Sequence, residues 1–202
     1  GLGDVYKRQQ IFVDMSKGEE QLKKLCARPG QDKVRATFCA EQPPKITSLV
    51  ELQNALGLGV GAGGAPNNTL FAFTAHSSSL VARAISSINP RLVMFNRPGS
   101  VPNPVGMGFA RGEQFAEIAA LDPSTGAFNF FLITFEQACN KQQGGCVIGE
   151  LLTPSVEKNW TEIHIYEDED LANTIVDCKH CHQPAGPGTP KILRMQELRN
   201  PW

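Results

Sequence analysis

Six cysteines fall into three close pairs along the 202 residues: Cys26 with Cys39, Cys139 with Cys146, and Cys178 with Cys181. Local cross-links or shared ligands at three places restrict the folds open to this chain more than any other feature. An even count at short spacing favours an oxidising compartment. In the loop-entropy account, a bridge closing so short a loop stabilises by roughly 2.5–3 kcal/mol. The first two pairs are therefore expected as disulfides, against the alternative of buried free thiols that pack as small hydrophobes.

The third pair differs, because Cys178-Lys179-His180-Cys181-His182 sets a histidine directly after the second cysteine. Cys-x-x-Cys-His is the attachment signature of c-type haem. Two thiols add across the two vinyl groups of one porphyrin and hold it as thioethers. In a helical turn, positions i, i+3 and i+4 share a face. Cys178, Cys181 and His182 would then address one ligand, with the His182 imidazole under the iron. His180, inside the motif, is expected to point away from it. Six-coordinate iron needs a second axial ligand, and Met195 is the nearest candidate, beside Ile192 and Leu198 on one helical face. His76, His164 and Met107 are the others. Met195 also reads as ordinary core filler.

Charge excludes some partners. Lys plus Arg number 19 against 20 Asp plus Glu, a net charge of −1, which indicates no nucleic acid and no anionic membrane surface. No run of 18 apolar residues exists, so no membrane-spanning helix is expected in this stretch. The length allows one large or two small domains.

Residues 10–65 read as helices and loops. A short helix is expected over 19–25, and Ser48 with Glu51 forms a capping box for a helix through Leu56. Residues 66–156 read as β-rich. Segments 115–119 and 128–135 flank Asp122-Pro123-Ser124-Thr125-Gly126, which predicts an antiparallel hairpin. Residues 157–202 are expected to return to helix, with the run Glu167-Asp168-Glu169-Asp170 at a solvated helix start. Leu171 and Ile175 would follow on the face leading to Cys178, and Thr189-Pro190 would open a last helix running to Arg199. Phe128, Phe130, Phe131 and Phe135 are candidates to wall a haem or simply sheet core. Arg91, Arg97 and Arg111 are candidates to pair its propionates or simply rim arginines.

Other motifs carry less. Gly59-x-Gly61-x-x-Gly64 matches a dinucleotide fingerprint, but it follows a helix where a strand is required. Ser77-Ser78-Ser79 beside His76 lacks a nucleophile elbow. A dithiol oxidoreductase would want a βαβ scaffold that the pattern does not offer. Zinc held by Cys139, Cys146, Cys178 and Cys181 stays open as a structural alternative. So does a haem enzyme with an open iron.

The middle of the chain resembles a bacterial family of extracytoplasmic c-type cytochrome proteins. The residues that carry the likeness are Ser79-Leu80, Ile85-Ser86 and Asn89-Pro90-Arg91-Leu92-Val93-Met94-Phe95, then Val105-Gly106, Gly108 and Gly112. Glu117-Ile118-Ala119-Ala120-x-Asp122-Pro123-x-x-Gly126-Ala127-Phe128 continues it, and the Gly-Pro loop 183–190 follows the cysteine motif. The resemblance implies a haem-bearing periplasmic protein that works with a redox partner. The insertion between Phe135 and Cys178, with its own cysteine pair, departs from that pattern. Residues 1–9 resemble the GLGDVYKRQ stretch that adaptor read-through leaves in metagenomic assemblies, so a non-native leader, a lost signal peptide and a truncated C-terminal end are expected.

Together these readings predict an α+β chain. It has a helical N-terminal segment, a central antiparallel β-sheet with a hairpin, and a helical C-terminal haem-attachment segment. The expected function is that of a periplasmic cytochrome with one covalent haem c, bound by Cys178, Cys181 and His182, with Met195 as second metal ligand.

Overall fold

Six segments rich in apolar and β-branched residues pair as one antiparallel meander. The structure, a computed structural model, describes residues 15–59, 69–75, 85–97, 99–174, 176–183 and 185–193. The strands are β1 (Thr69–Thr74), β2 (Arg91–Asn96), β3 (Val105–Phe109), β4 (Phe115–Asp122), β5 (Ala127–Gln137) and β6 (Trp160–Glu167), hydrogen-bonded in chain order. Three helices precede them: α1 (Gly18–Ala27), α2 (Lys33–Phe38) and α3 (Leu49–Ala55). The one-turn helices α4 (Ile148–Leu151) and α5 (Lys179–His182) come later.

Local chemistry explains the ends of these elements. Asp32 caps α2, its Oδ1 accepting from Arg35 N at 3.0 Å, and Ser48 Oγ caps α3 through Glu51 N at 3.2 Å. Glu51 reaches back one residue further than the sequence suggests, accepting from Thr47 N at 2.6 Å. The hairpin closes as its alternation predicts. Phe115 faces Thr134 and Asp122 faces Ala127, and Gly126 takes the positive φ that lets its N–H reach Asp122 O at 2.8 Å.

Each strand offers alternate residues to opposite faces. On one face, Met94, Met107, Ile118, Phe131, Ile133 and Ile165 join Leu25, Val34, Phe38 and Leu52 of the helices in the main core. The opposite face carries a smaller cluster, in which Leu132, Tyr166, Leu171 and Val176 are buried and Phe115 and Cys178 pack against them. The cysteine pairs Cys26–Cys39 and Cys139–Cys146 are bonded, with Cα atoms 5.5 and 4.8 Å apart.

The expected helical C-terminal segment is not what forms. Residues 160–167 are the sixth strand, and only Lys179–His182 is helical after it among the described residues. Trp160, Ile163, Ile165 and Tyr166 suit a pleated, half-buried surface, and β6 extends the sheet beyond the hairpin by pairing with β5. The acidic run is not a solvated helix start either. Glu167 and Asp168 are 4% and 0% exposed, in and just after the end of β6. Their charges are met by arginines and a lysine from distant parts of the chain. The last expected helix, with Met195 and Leu198, falls largely outside the described residues, and no helix is present over 189–193.

α1 is clamped to this end of β6. Arg28 pairs with Asp170 through both terminal nitrogens and with Glu167 at 3.1 Å. Asp170 also accepts from Gln21 Nε2 and from Glu167 N, each at 3.0 Å. Burial pushes the Asp170 carboxyl up, but the Arg28 guanidinium and these donors outweigh it and hold the group below its ordinary value. A depressed folded-state pKa gives stability that is present above the unfolded value and lost as pH falls through the folded one. Acidification from about pH 5 to about pH 3, across the free carboxylate range, should therefore lower the urea midpoint. Asp170→Asn should be less stable at neutral pH and show a shallower acid dependence. An unchanged acid slope in that variant would rule out the clamp.

Candidate cofactor-attachment site

One helical turn gathers the motif. His182 N and Cys181 N both donate to Cys178 O, at 3.0 and 3.2 Å. The spacing therefore does place Cys178, Cys181 and His182 on a single turn. The Gly-Pro loop then folds back on it. Ile192 N donates to His182 O at 2.8 Å, and the Ile192 carbonyl lies 3.2 Å from His182 Nδ1. Inside the loop, Gln183 Nε2 donates to Thr189 O at 2.7 Å, and Thr189 Oγ1 to Gly186 O at 2.7 Å.

A carbonyl accepts only, so Nδ1 carries the proton and Nε2 is the nitrogen with a lone pair to give. Among the described residues no hydrogen bond to Nε2 is formed. The imidazole lies stacked on the Phe130 ring, centroids 3.8 Å apart. Burial pushes its pKa below the ordinary value, against the pull of the Ile192 carbonyl and the carboxylates of Glu117 and Asp168. Burial thus favours the neutral ring, the form in which an imidazole binds a metal.

Cys178 and Cys181 are not joined in a disulfide, and each is half-buried. Burial pushes the Cys178 thiol up, and the Asp168, Glu117 and Asp177 carboxylates push the same way. A reactive, thiolate-forming cysteine sits in the opposite environment.

The other candidates separate by sheet face. Met107 is buried under the helices, paired with Met94 and Ile118, on the face away from His182. It is no axial ligand in this fold. His164 accepts from Gly18 N at Nδ1 (3.0 Å) and has Nε2 at 3.5 Å from Glu136 Oε1, so neither nitrogen is spare. For the same reason the group Glu136, Glu162 and His164 does not read as a cation site, since Lys17 already pairs with Glu136 at 3.2 Å. Phe131 and Phe135 face the helix side, Phe135 stacked on Trp160 at 3.9 Å. Phe130, on the opposite face, stacks on His182 of the motif.

Arg91 crosses the sheet to pair with Glu117, lying where a Cβ on Gly108 would stand. Both charges act on the ionisation of His182. Arg111 pairs with Glu157 at 2.6 Å, and Arg97 is exposed. Met195, His76 and Ser77–Ser79 lie outside the described residues. Ile192, three residues before Met195, is tied to the Nδ1 edge, the side of the imidazole away from Nε2.

Phe130, Asp168, Lys191 and Ile192 were not singled out as a group from sequence. No helix of the described residues is long and apolar enough to cross a membrane. No protein-family model, curated protein or solved structure matches this chain.

Proposed function

We propose that this chain carries one covalent c-type haem on Cys178 and Cys181, with His182 as axial ligand, and serves in one-electron transfer in an extracytoplasmic, periplasm-like compartment. The observation that carries the proposal is a contrast among the three cysteine pairs. Two are closed as disulfides, whereas the third forms none and sets both cysteines on one turn beside an imidazole whose Nδ1 is tied to a carbonyl. Ligating histidines commonly donate their other nitrogen to such a partner, which fixes ring orientation. The donor set thus fits the group. The haem would supply the iron's one-electron couple.

The chain's own part is attachment and orientation. Each S–H adds across a vinyl C=C, sulfur to one carbon and hydrogen to the other, with no electrons gained or lost. Phe130 and Ile192 hold the imidazole from a face and an edge.

Zinc is less well supported. Cys139 and Cys146 are bonded to each other and have no thiolates to offer. Among the described residues, the ligand atoms of Cys178, Cys181 and His182 do not form a group within 4.8 Å of one another, as a tetrahedral site requires. Thioether attachment has no such requirement, because the sulfurs bind the ring periphery.

A haem stain on a denaturing gel, after expression with c-type maturation machinery, tests the proposal. The parent should show a covalent band and a mass increase of one haem. Cys178→Ala or Cys181→Ala should leave one thioether at most and shift the pyridine haemochrome band, and the double variant should lose the stain. An unmodified mass with stoichiometric zinc would overturn the assignment.

A further inference from the structure

Asp168 is fully buried in the turn after β6, and its backbone N–H is fixed to β5 through Phe130 O at 2.9 Å. Neither carboxylate oxygen makes a well-directed hydrogen bond among the described residues. What faces it is the ammonium of Lys191, 2.6 Å from Oδ2 and itself mostly covered. The other nearby lysine, Lys179, is committed to Glu169 at 2.8 Å. A buried carboxylate met by a single cation is costly to part from it, because the charge left behind is uncompensated.

Lys191 immediately precedes Ile192, whose N–H and C=O both hold His182. Asp168 therefore grips the loop one residue from the clamp on the imidazole. Its own N–H is held by the carbonyl of Phe130, the residue whose ring supports the imidazole face.

We infer that Asp168 is a positioning residue: through Lys191 it pins the returning Gly-Pro loop, and so sets which nitrogen of His182 is presented for ligation. The inference rests on His182 being the haem ligand, but it makes a claim about the haem-free chain. With the ion pair intact, the Ile192 carbonyl stays at Nδ1 and the ring is locked as the Nδ1–H tautomer. With the pair gone, only the loop's own short hydrogen bonds hold Ile192, and the imidazole exchanges between tautomers.

The test is nitrogen-15 NMR on the full chain expressed without haem, reading long-range correlations from the carbon-bound protons of His182, assigned by His182→Asn. The parent should show two widely separated ring-nitrogen shifts, with Nδ1 protonated. Lys191→Met should collapse that separation toward an averaged value, and Lys191→Arg, which keeps the cation, should restore it. If Lys191→Met does not fold, Asp168→Asn/Lys191→Met leaves no buried charge and carries the same expectation. A tautomer lock that survives loss of the Lys191 cation overturns the inference. A haem stain reports on the ligand assignment alone, and this readout needs no haem, so the two fail separately.

Discussion

Arg35→Ala should destabilise the fold by about 3–5 kcal/mol, the cost of removing one member of a buried ionic group. Arg35 is 5% exposed and lies between Asp32, at 0%, and Glu167, at 4%. Its two terminal nitrogens reach Asp32 Oδ2 at 2.5 Å and Glu167 Oε1 at 2.6 Å, and the guanidinium stands 5.5 Å above the Phe131 ring. Without it, Glu167 keeps Arg28, but among the described residues Asp32 keeps only neutral donors, Asn129 Nδ2 at 3.1 Å and the backbone N–H of residue 35. The deficit comes from Asp32, whose buried charge is left without a cation among the described residues. Arg111→Ala is the control. Its pair with Glu157 is 38% and 31% exposed, and such pairs are worth about 0–1 kcal/mol. Urea midpoints of both variants at neutral pH provide the measurement. An Arg35→Ala variant no weaker than Arg111→Ala would mean that the cluster is solvated.

That cluster also marks where sequence reasoning stops. Caps and turns are local, so Ser48 with Glu51 and the Asp122–Gly126 turn were legible as residues at fixed short offsets. The motif turn was legible in the same way, because i, i+3 and i+4 fix their own geometry. The acidic run was misread because its partners are remote: Arg35 meets Glu167 across 132 positions and Arg28 meets Asp170 across 142. Four carboxylates in a row look solvated until the folded sheet brings cations to them. β6 was lost with the run, since that reading began a helix where a strand was ending. The supports of His182 were hidden for a related reason. Residues 128–135 are apolar at nearly every position, as a strand buried on both faces must be, and such a run does not reveal which residues share a face.

Register settles that question, and neighbouring phenylalanines should then behave differently. Phe131, 1% exposed, points into the core beneath the helices and the Arg35 guanidinium. Phe131→Ala should cost about 3–5 kcal/mol, the transfer term plus the cavity left in a packed core. Phe130 points the other way, under the His182 ring. Phe130→Leu keeps an apolar group of similar volume and should cost less than about 1.5 kcal/mol. Its effect should fall on the imidazole, which loses a stacked partner worth about 0.5–1.5 kcal/mol. The carbon-bound protons of His182, shielded by the Phe130 ring at 3.8 Å in the parent, should move downfield in Phe130→Leu and stay in place in a conservative Phe131→Leu. Urea unfolding gives the first pair of outcomes and proton NMR the second. Should Phe131→Leu shift those protons as much as Phe130→Leu does, the two rings would share a face, and the register of β5 against β4 and β6 described above would be wrong.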